Sequence, residues 1–205
     1  MVSLDWAFGL RSLQLPPLVD SFLPSGLPWD EARTAAAYHC LKTGKQWMFQ
    51  LDSDVVCPPD TVMRLLSYRL PIVSGLYHQR FPTGPIEFEL KYMPCIFNEG
   101  RDAQGNPSRV EVNFQYGQLV EVDYAPAGCL LTHRSVFERM LQAGIKQFFE
   151  FTSHVAVPSP DGKSEDFDFC EKARKLGFKV LCDTGIQCVH ETQAKIEIRG
   201  LTPKL

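Results

Sequence analysis

The chain has 205 residues, 44% hydrophobic and 22% charged, a balance that excludes a disordered or fibrous protein. Lys and Arg number 21 against 24 Asp and Glu, and the formal charge of −3 excludes general nucleic-acid binding, which needs a basic footprint. No apolar run approaches the roughly 18 residues of a membrane span, and the length suits a single domain over residues 1–205.

The start, Met1-Val2-Ser3-Leu4-Asp5, has no basic stretch and carries an early acid, so no secretory signal is expected. Pro16 to Pro28 holds four prolines and a glycine and reads as loop. Asp30 to Leu41 reads as a helix, with acids at its start and alanines inside. Gln46 to Leu51 is a short apolar run that suits a buried strand, and Asp60 to Ser67, after Pro58-Pro59, suits a short helix. Leu70 to Tyr77 is a second strand. Strand, helix and strand in this order form a βαβ unit, so the sheet is expected to be at least partly parallel. Ile86 to Phe97, Arg109 to Phe114 and Leu119 to Asp123 read as antiparallel strands, with Asn98 to Ser108 as a long hairpin tip. Helices are expected at Thr132 to Ala143 and Glu165 to Leu176, and a last strand at Phe178 to Cys182.

Seven cysteines (Cys40, Cys57, Cys95, Cys129, Cys170, Cys182 and Cys188) are odd in number and lack a CxxC pair. They read as reduced, packed thiols of a cytoplasmic protein. Cys182, Cys188 and His190 lack the second ligand pair that a zinc spacing requires.

Three groups can carry chemistry. Asp52-Ser53-Asp54 follows the strand Gln46–Leu51 directly, where open α/β sheets bind ligands, and carboxylates there suit a hard divalent ion that holds a diphosphate. The alternative is an Asx-turn that merely ends the strand. Ser164-Glu165-Asp166-Phe167-Asp168 puts three acids at a helix start, either as cap and dipole partner or as a general base. His190 falls just after the last strand, where an imidazole can complete the coordination of an ion held by Asp54.

The ordered set is Gly26 to Arg33, Gln50 to Pro59, Pro71 to Tyr77, Ala127 to Arg134, Ser164 to Cys170, and His190. It resembles the GT-A fold glycosyltransferases, in particular the compact family-2-like enzymes of microbes and their viruses, over about residues 26 to 191. The resemblance implies an α/β fold with a mixed, mostly parallel central sheet flanked by helices, and an antiparallel hairpin excursion. It also implies a metal-dependent transfer of a sugar from a nucleoside-diphosphate sugar (UDP or GDP type) to an acceptor hydroxyl, with Mn2+ or Mg2+ as cofactor. Asp52-Ser53-Asp54 then stands for the DxD motif, with Asp52 toward the ribose or the ion and Asp54 on the ion. Arg33 lies near the nucleotide, Gly128 beside the transferred sugar, and His190 on the metal. Asp166, or Glu165 beside it, is the base. Tyr77, His78, Arg80 and Asp168 are acceptor-side candidates, Phe148-Phe149 lie near them, and Pro158 to Lys163 is a candidate lid. The acceptor is left open among glycan, lipid, protein and small molecule.

Two departures stand out: Ser3 to Leu15 is a poor copy of the family's apolar first strand, and His190 is followed by Glu191. Two other readings compete. A nucleotidyltransferase that makes sugar nucleotides also uses acids and magnesium at a parallel sheet, but it carries a Gly-rich basic loop that this chain lacks. A non-catalytic nucleotide-sugar binding domain would keep the fold without needing the acids at 52, 54, 165, 166 and 168.

Overall fold

The computed structural model describes residues 2–82, 90–151 and 163–191, without the side chains of 80–82 and 90–92. It has five helices and eleven strands among those residues. A five-stranded sheet is built from β1 (Trp47–Leu51), β3 (Ile72–Leu76), β8 (Leu119–Val122), β9 (Cys129–His133) and β10 (Val180–Gln187), in the order β1-β9-β3-β10-β8. β9 runs antiparallel to both β1 and β3, β10 runs parallel to β3, and β8 is antiparallel to β10. The sheet is therefore mixed. Three of its four pairings are antiparallel, which corrects the expectation of a mostly parallel sheet. The cause is β9: it inserts between the two strands of the βαβ unit, which keep their common direction but do not touch.

The central strands β3 and β9 are buried almost end to end because both of their faces are covered. Alternate residues of β3 and β9 serve opposite faces. Ile72, Leu76 and Leu130 join the core under α2 (Trp29–Lys42), α4 (Arg134–Gln142) and α5 (Glu165–Lys175). That core is aromatic, with Phe137, Phe148, Phe149 and Phe169 fully buried and Phe149 stacked on Phe169 at 4.4 Å. Phe148 and Phe149 are therefore core residues rather than acceptor contacts. Val73 and Leu131 point the other way, toward Val62 and Leu65 of α3 (Thr61–Ser67).

Two short ladders lie beside the sheet. Phe97–Arg101 (β6) pairs with Pro107–Glu111 (β7) as the expected hairpin, and Asp102 closes its tip by accepting bonds from the Gln104 and Asn106 amides at 2.9 and 2.8 Å. His78–Pro82 (β4) pairs with Leu90–Pro94 (β5). Ser3 to Leu15 supplies no strand. Leu4–Ser12 is a helix (α1), capped by the Ser3 hydroxyl on the Trp6 amide at 2.9 Å, and it packs on Val55–Val56 (β2). Sequences that place Asp5 in the first turn and Arg11 in the last favour that helix through its dipole.

A bulge in β10 shapes one end of the sheet. Asp183 pairs with Gly75, and the next partnered residue, Gln187, pairs with Leu76. Fully buried Asp183 is held by Arg64 Nε at 2.6 Å, the Tyr68 hydroxyl at 2.8 Å and the Gly185 amide at 2.9 Å. Past the bulge the chain crosses to β2 as Val189–His190 (β11). No described helix is long and apolar enough to cross a membrane.

The Arg64–Asp183 pair is asymmetric, because about a third of Arg64 is exposed while Asp183 is sealed. Arg64→Ala leaves a buried carboxylate without its cation and is expected to cost about 3 kcal/mol. Asp183→Asn leaves a cation that can reach water and is expected to cost about 1–2 kcal/mol. Urea unfolding of the two variants checks the order.

Candidate active site

The carboxyl ends of β1, β3 and β10 and the amino end of β9 share one edge. Leu51 pairs with Cys129, and the Asp52 amide bonds the Gly128 carbonyl at 3.0 Å. Leu76 pairs with Gln187. Asp52, Gly128 and Tyr77 therefore leave the sheet together, and the β10 crossover brings His190 to the same place.

Arg33, on the second turn of α2, spans this edge. Its Nη2 lies 2.9 Å from both carboxylate oxygens of Asp52, its Nε lies 3.0 Å from Glu165 Oε1, and its Nη1 reaches the Ala127 carbonyl at 3.4 Å. Burial alone would lower the pKa of this guanidinium, but Asp52, Glu165 and Asp166 raise it further, so it stays charged. Burial together with Asp166 raises the pKa of Glu165, against the pull of Arg33.

Asp166 is the next residue along. It accepts bonds from the Ser164 hydroxyl and the Phe167 amide (2.9 Å). Burial raises its pKa despite those donors. Ser164 thus makes no capping bond to the helix; its hydroxyl serves Asp166. Buried Tyr77 is held as a neutral phenol by burial and by the charges of Asp166 and Asp52. Gly128 has no room for a side chain: a Cβ there would lie 2.7 Å from the Tyr77 hydroxyl oxygen and 2.9 Å from Asp52 Oδ2.

Asp54 and His190 form a second pair. His190 sits opposite Val55 in the β2–β11 ladder, and the Glu191 amide bonds the Asp54 carbonyl at 2.7 Å. His190 Nε2 is 3.4 Å from Asp54 Oδ2, its Nδ1 lies 3.3 Å from the His78 carbonyl, and its ring is 5.1 Å from that of Tyr77. The contact with His190 lowers the pKa of Asp54, and the contact with Asp54 raises that of His190. Asp54 and Ser53 are exposed.

The remaining candidates divide. The His78 ring is 3.3 Å from the Tyr116 hydroxyl. Asp168 turns away from this edge and pairs with Lys172 on its own helix at 2.5 Å. The side chain of Arg80 and the loop 158–162 lie outside the described residues. Among the described residues, one set of three potential ligands has all donor atoms within 4.8 Å of one another, and it is Cys57, Cys129 and Cys188. Asp52, Asp54 and His190 do not form such a set.

Sequence reasoning missed Trp6, whose indole N–H donates to the Asp52 carbonyl at 2.7 Å, and Ser3, whose hydroxyl bonds Glu191 at 2.7 Å. An Asp in the first turn and an Arg in the last mark α1 as a helix, but no local signal says what it packs on. The sequence also gives no sign that Arg33 pairs with Glu165, 132 positions later.

No protein-family model and no curated protein matches the sequence. Among solved structures, the chain is similar to A197 from STIV, with a TM-score of 0.48 and 12% identity over 80% of this chain and 68% of that one. It is also similar to GalNAc-T7 solved with UDP, GalNAc and Mn2+, with a TM-score of 0.44 and 13% identity over 79% of this chain, which spans 30% of that one.

Proposed function

We propose that the chain is a metal-dependent glycosyltransferase of GT-A type that moves a sugar from a UDP- or GDP-type donor to an acceptor hydroxyl. The observation that carries this reading is the pairing of acids at one sheet edge: Asp54 with His190, and Asp52 with Glu165 through Arg33. Three carboxylates (Asp52, Glu165 and Asp166) surround the single guanidinium of Arg33. An edge with surplus negative charge repels a diphosphate unless a further cation joins it.

Asp54 and His190 fit a divalent ion. Adjacent ligands at about 2.1 Å from a metal lie about 3 Å apart, close to the 3.4 Å between these two donor atoms. A ligating imidazole also donates its other N–H to a carbonyl, as the contact of His190 Nδ1 with His78 allows. Exposed Asp54 leaves the outer positions open. Asp52 has both oxygens on Arg33 and serves the ribose side of the donor. Bound there, Mn2+ or Mg2+ supplies Lewis-acid stabilisation of the leaving diphosphate.

Asp166 is the base. The Ser164 hydroxyl and the Phe167 amide fix its carboxylate, and burial raises its affinity for the proton it takes from the acceptor hydroxyl. Glu165 positions Arg33. Gly128 lets the Tyr77 hydroxyl and the Asp52 carboxylate close on the backbone at the edge the donor would occupy. Tyr77 and His78 border the acceptor side.

The test is thermal shift with UDP, GDP, CDP and dTDP, with and without Mn2+, followed by donor turnover. One nucleotide is expected to raise the Tm only when the metal is present. Asp54→Asn should abolish both the joint shift and turnover. Asp166→Asn should keep the shift and lower the rate about 10²–10⁴-fold. Equal nucleotide affinity of the wild type with and without metal overturns the reading, and formation of a sugar nucleotide from a sugar phosphate and a nucleoside triphosphate replaces it with nucleotidyl transfer.

The affinity for Mn2+ also carries a sign in pH. Asp54, with its pKa lowered, is ionised throughout the neutral range. His190, with its pKa raised, keeps a proton that the metal must displace. Below the folded pKa of His190, affinity should rise about tenfold per pH unit and then level off above it. His190→Gln should flatten that slope in an isothermal titration.

Gly128→Ala drives a methyl group against Asp52 and the Tyr77 hydroxyl. The displaced carboxylate should lower kcat/KM about 10²-fold, while the circular dichroism spectrum of the fold is retained.

A further inference from the structure

Beneath the Asp54–His190 pair, three thiols from three segments meet in the core that packs on α3. Cys57 follows β2, Cys129 opens β9, and Cys188 joins β10 to β11. All three are free and buried, at 5%, 0% and 8% exposure, so water has little access to the sulfurs. The Cys188 and Cys57 sulfurs are 3.3 Å apart, and all three sulfurs lie within 4.8 Å of one another.

The backbone makes room for this meeting. A Cβ on Gly75 of β3 would lie 2.8 Å from the Cys129 sulfur and 3.3 Å from the Cys188 sulfur, so the cluster sits over a bare glycine. The surrounding side chains are apolar, among them Val55, Val62, Leu65, Val73 and Ile186.

A donor set of three sulfurs in an apolar shell selects a soft cation and rejects a hard one. Metal–sulfur bonds of about 2.3 Å put the sulfurs of a flat three-coordinate site about 4 Å apart, within the observed spread. Zinc takes four ligands in a structural site, and no His, Asp or Glu belongs to this set. A monovalent ion needs one ionised sulfur to leave the pocket neutral, whereas a divalent ion needs two.

We propose that Cys57, Cys129 and Cys188 form a three-coordinate site for a soft monovalent cation of the copper(I) class. The ion takes the place of the proton of one thiol, which leaves to solvent, and no electron is transferred. Cys57 lies three residues after Asp54, Cys129 follows Gly128 directly, and Cys188 lies two residues before His190. Bound metal therefore ties together the three segments that form the candidate active edge. The proposal goes beyond sugar transfer and does not depend on it.

The test is anaerobic titration of the full reduced chain with copper(I) against a chromogenic copper(I) chelator, without manganese or nucleotide. One tight equivalent per chain is expected, with three sulfur ligands in X-ray absorption. Cys57→Ser with Cys188→Ser should weaken binding at least about 100-fold, the upper end of what loss of even an outer partner costs, and Cys40→Ala should leave it unchanged. The absorption spectrum of the wild type decides the matter even where the double variant fails to fold. Fewer than three sulfurs, full retention of binding in the double variant, tighter binding of zinc than of copper(I), or a Cys57–Cys188 disulfide in the anaerobically purified chain overturns the proposal. None of these outcomes bears on the manganese titration, so the two readings fail separately.

Discussion

The candidate site depends on one guanidinium. Arg33 joins α2, the exit of β1, the entry to β9 and the start of α5 through Asp52, Ala127 and Glu165. Its side chain is about 13% exposed and that of Glu165 about 6%, so each charge is held out of water by the presence of the other. A buried pair of this kind adds little net stability, because desolvation offsets the attraction. Its effect is on geometry. Glu165 opens α5, so fixing it also fixes the first turn, and with it Asp166, against the loop Ala127–Gly128.

The second constraint is the bulge in β10. Had β10 kept its register with β3 beyond Asp183, the residues after it would have continued along the sheet. The extra residues at Thr184 to Ile186 instead send the chain across to β2. Thr184 secures the turn through Gln115 and Gln118, and Asp183 secures it through Arg64 and Tyr68. Bulges commonly re-aim side chains beside functional sites. Here the result is a two-residue ladder, with His190 opposite Val55, that sets an imidazole beside Asp54. The buried Asp183 carboxylate, on the α3 face of the sheet, thus helps decide where His190 stands.

Much of the scaffold was legible. The helices α2, α3 and α5 and the strands β1 and β3 follow from acid-first helix starts, a proline pair and short apolar runs between turn residues. The central strand β9 was not. Cys129-Leu-Leu-Thr-His133 runs directly into α4, and a strand buried on both faces has no alternation to separate it from a helix start. That single omission made the sheet look more parallel than it is. Ladders of two residues, such as β2–β11, fall below any periodic signal. The candidate acids were legible as chemistry at a strand exit and a helix start. Their division was not, because it depends on contacts between distant segments: Arg33 takes Asp52 and Glu165, Lys172 takes Asp168, and His190 faces Asp54.

That division has an electrostatic logic. A cluster of carboxylates at one edge cannot remain ionised together unless cations intervene. Arg33 satisfies Asp52 and Glu165 with strong charge-assisted bonds and leaves two acids in different states. Asp54 is exposed, with its pKa lowered by His190, so it is an anion ready for a cation. Asp166 has its pKa raised by burial, which suits the proton-accepting role proposed for it. Environment alone thus gives two aspartates of the same chemistry opposite proton affinities, which is what the proposed ion-binding and base roles require. The assignment rests on Arg33 being an arginine: a lysine has one charged nitrogen, and it cannot present Nε to Glu165 and Nη2 to Asp52 at once.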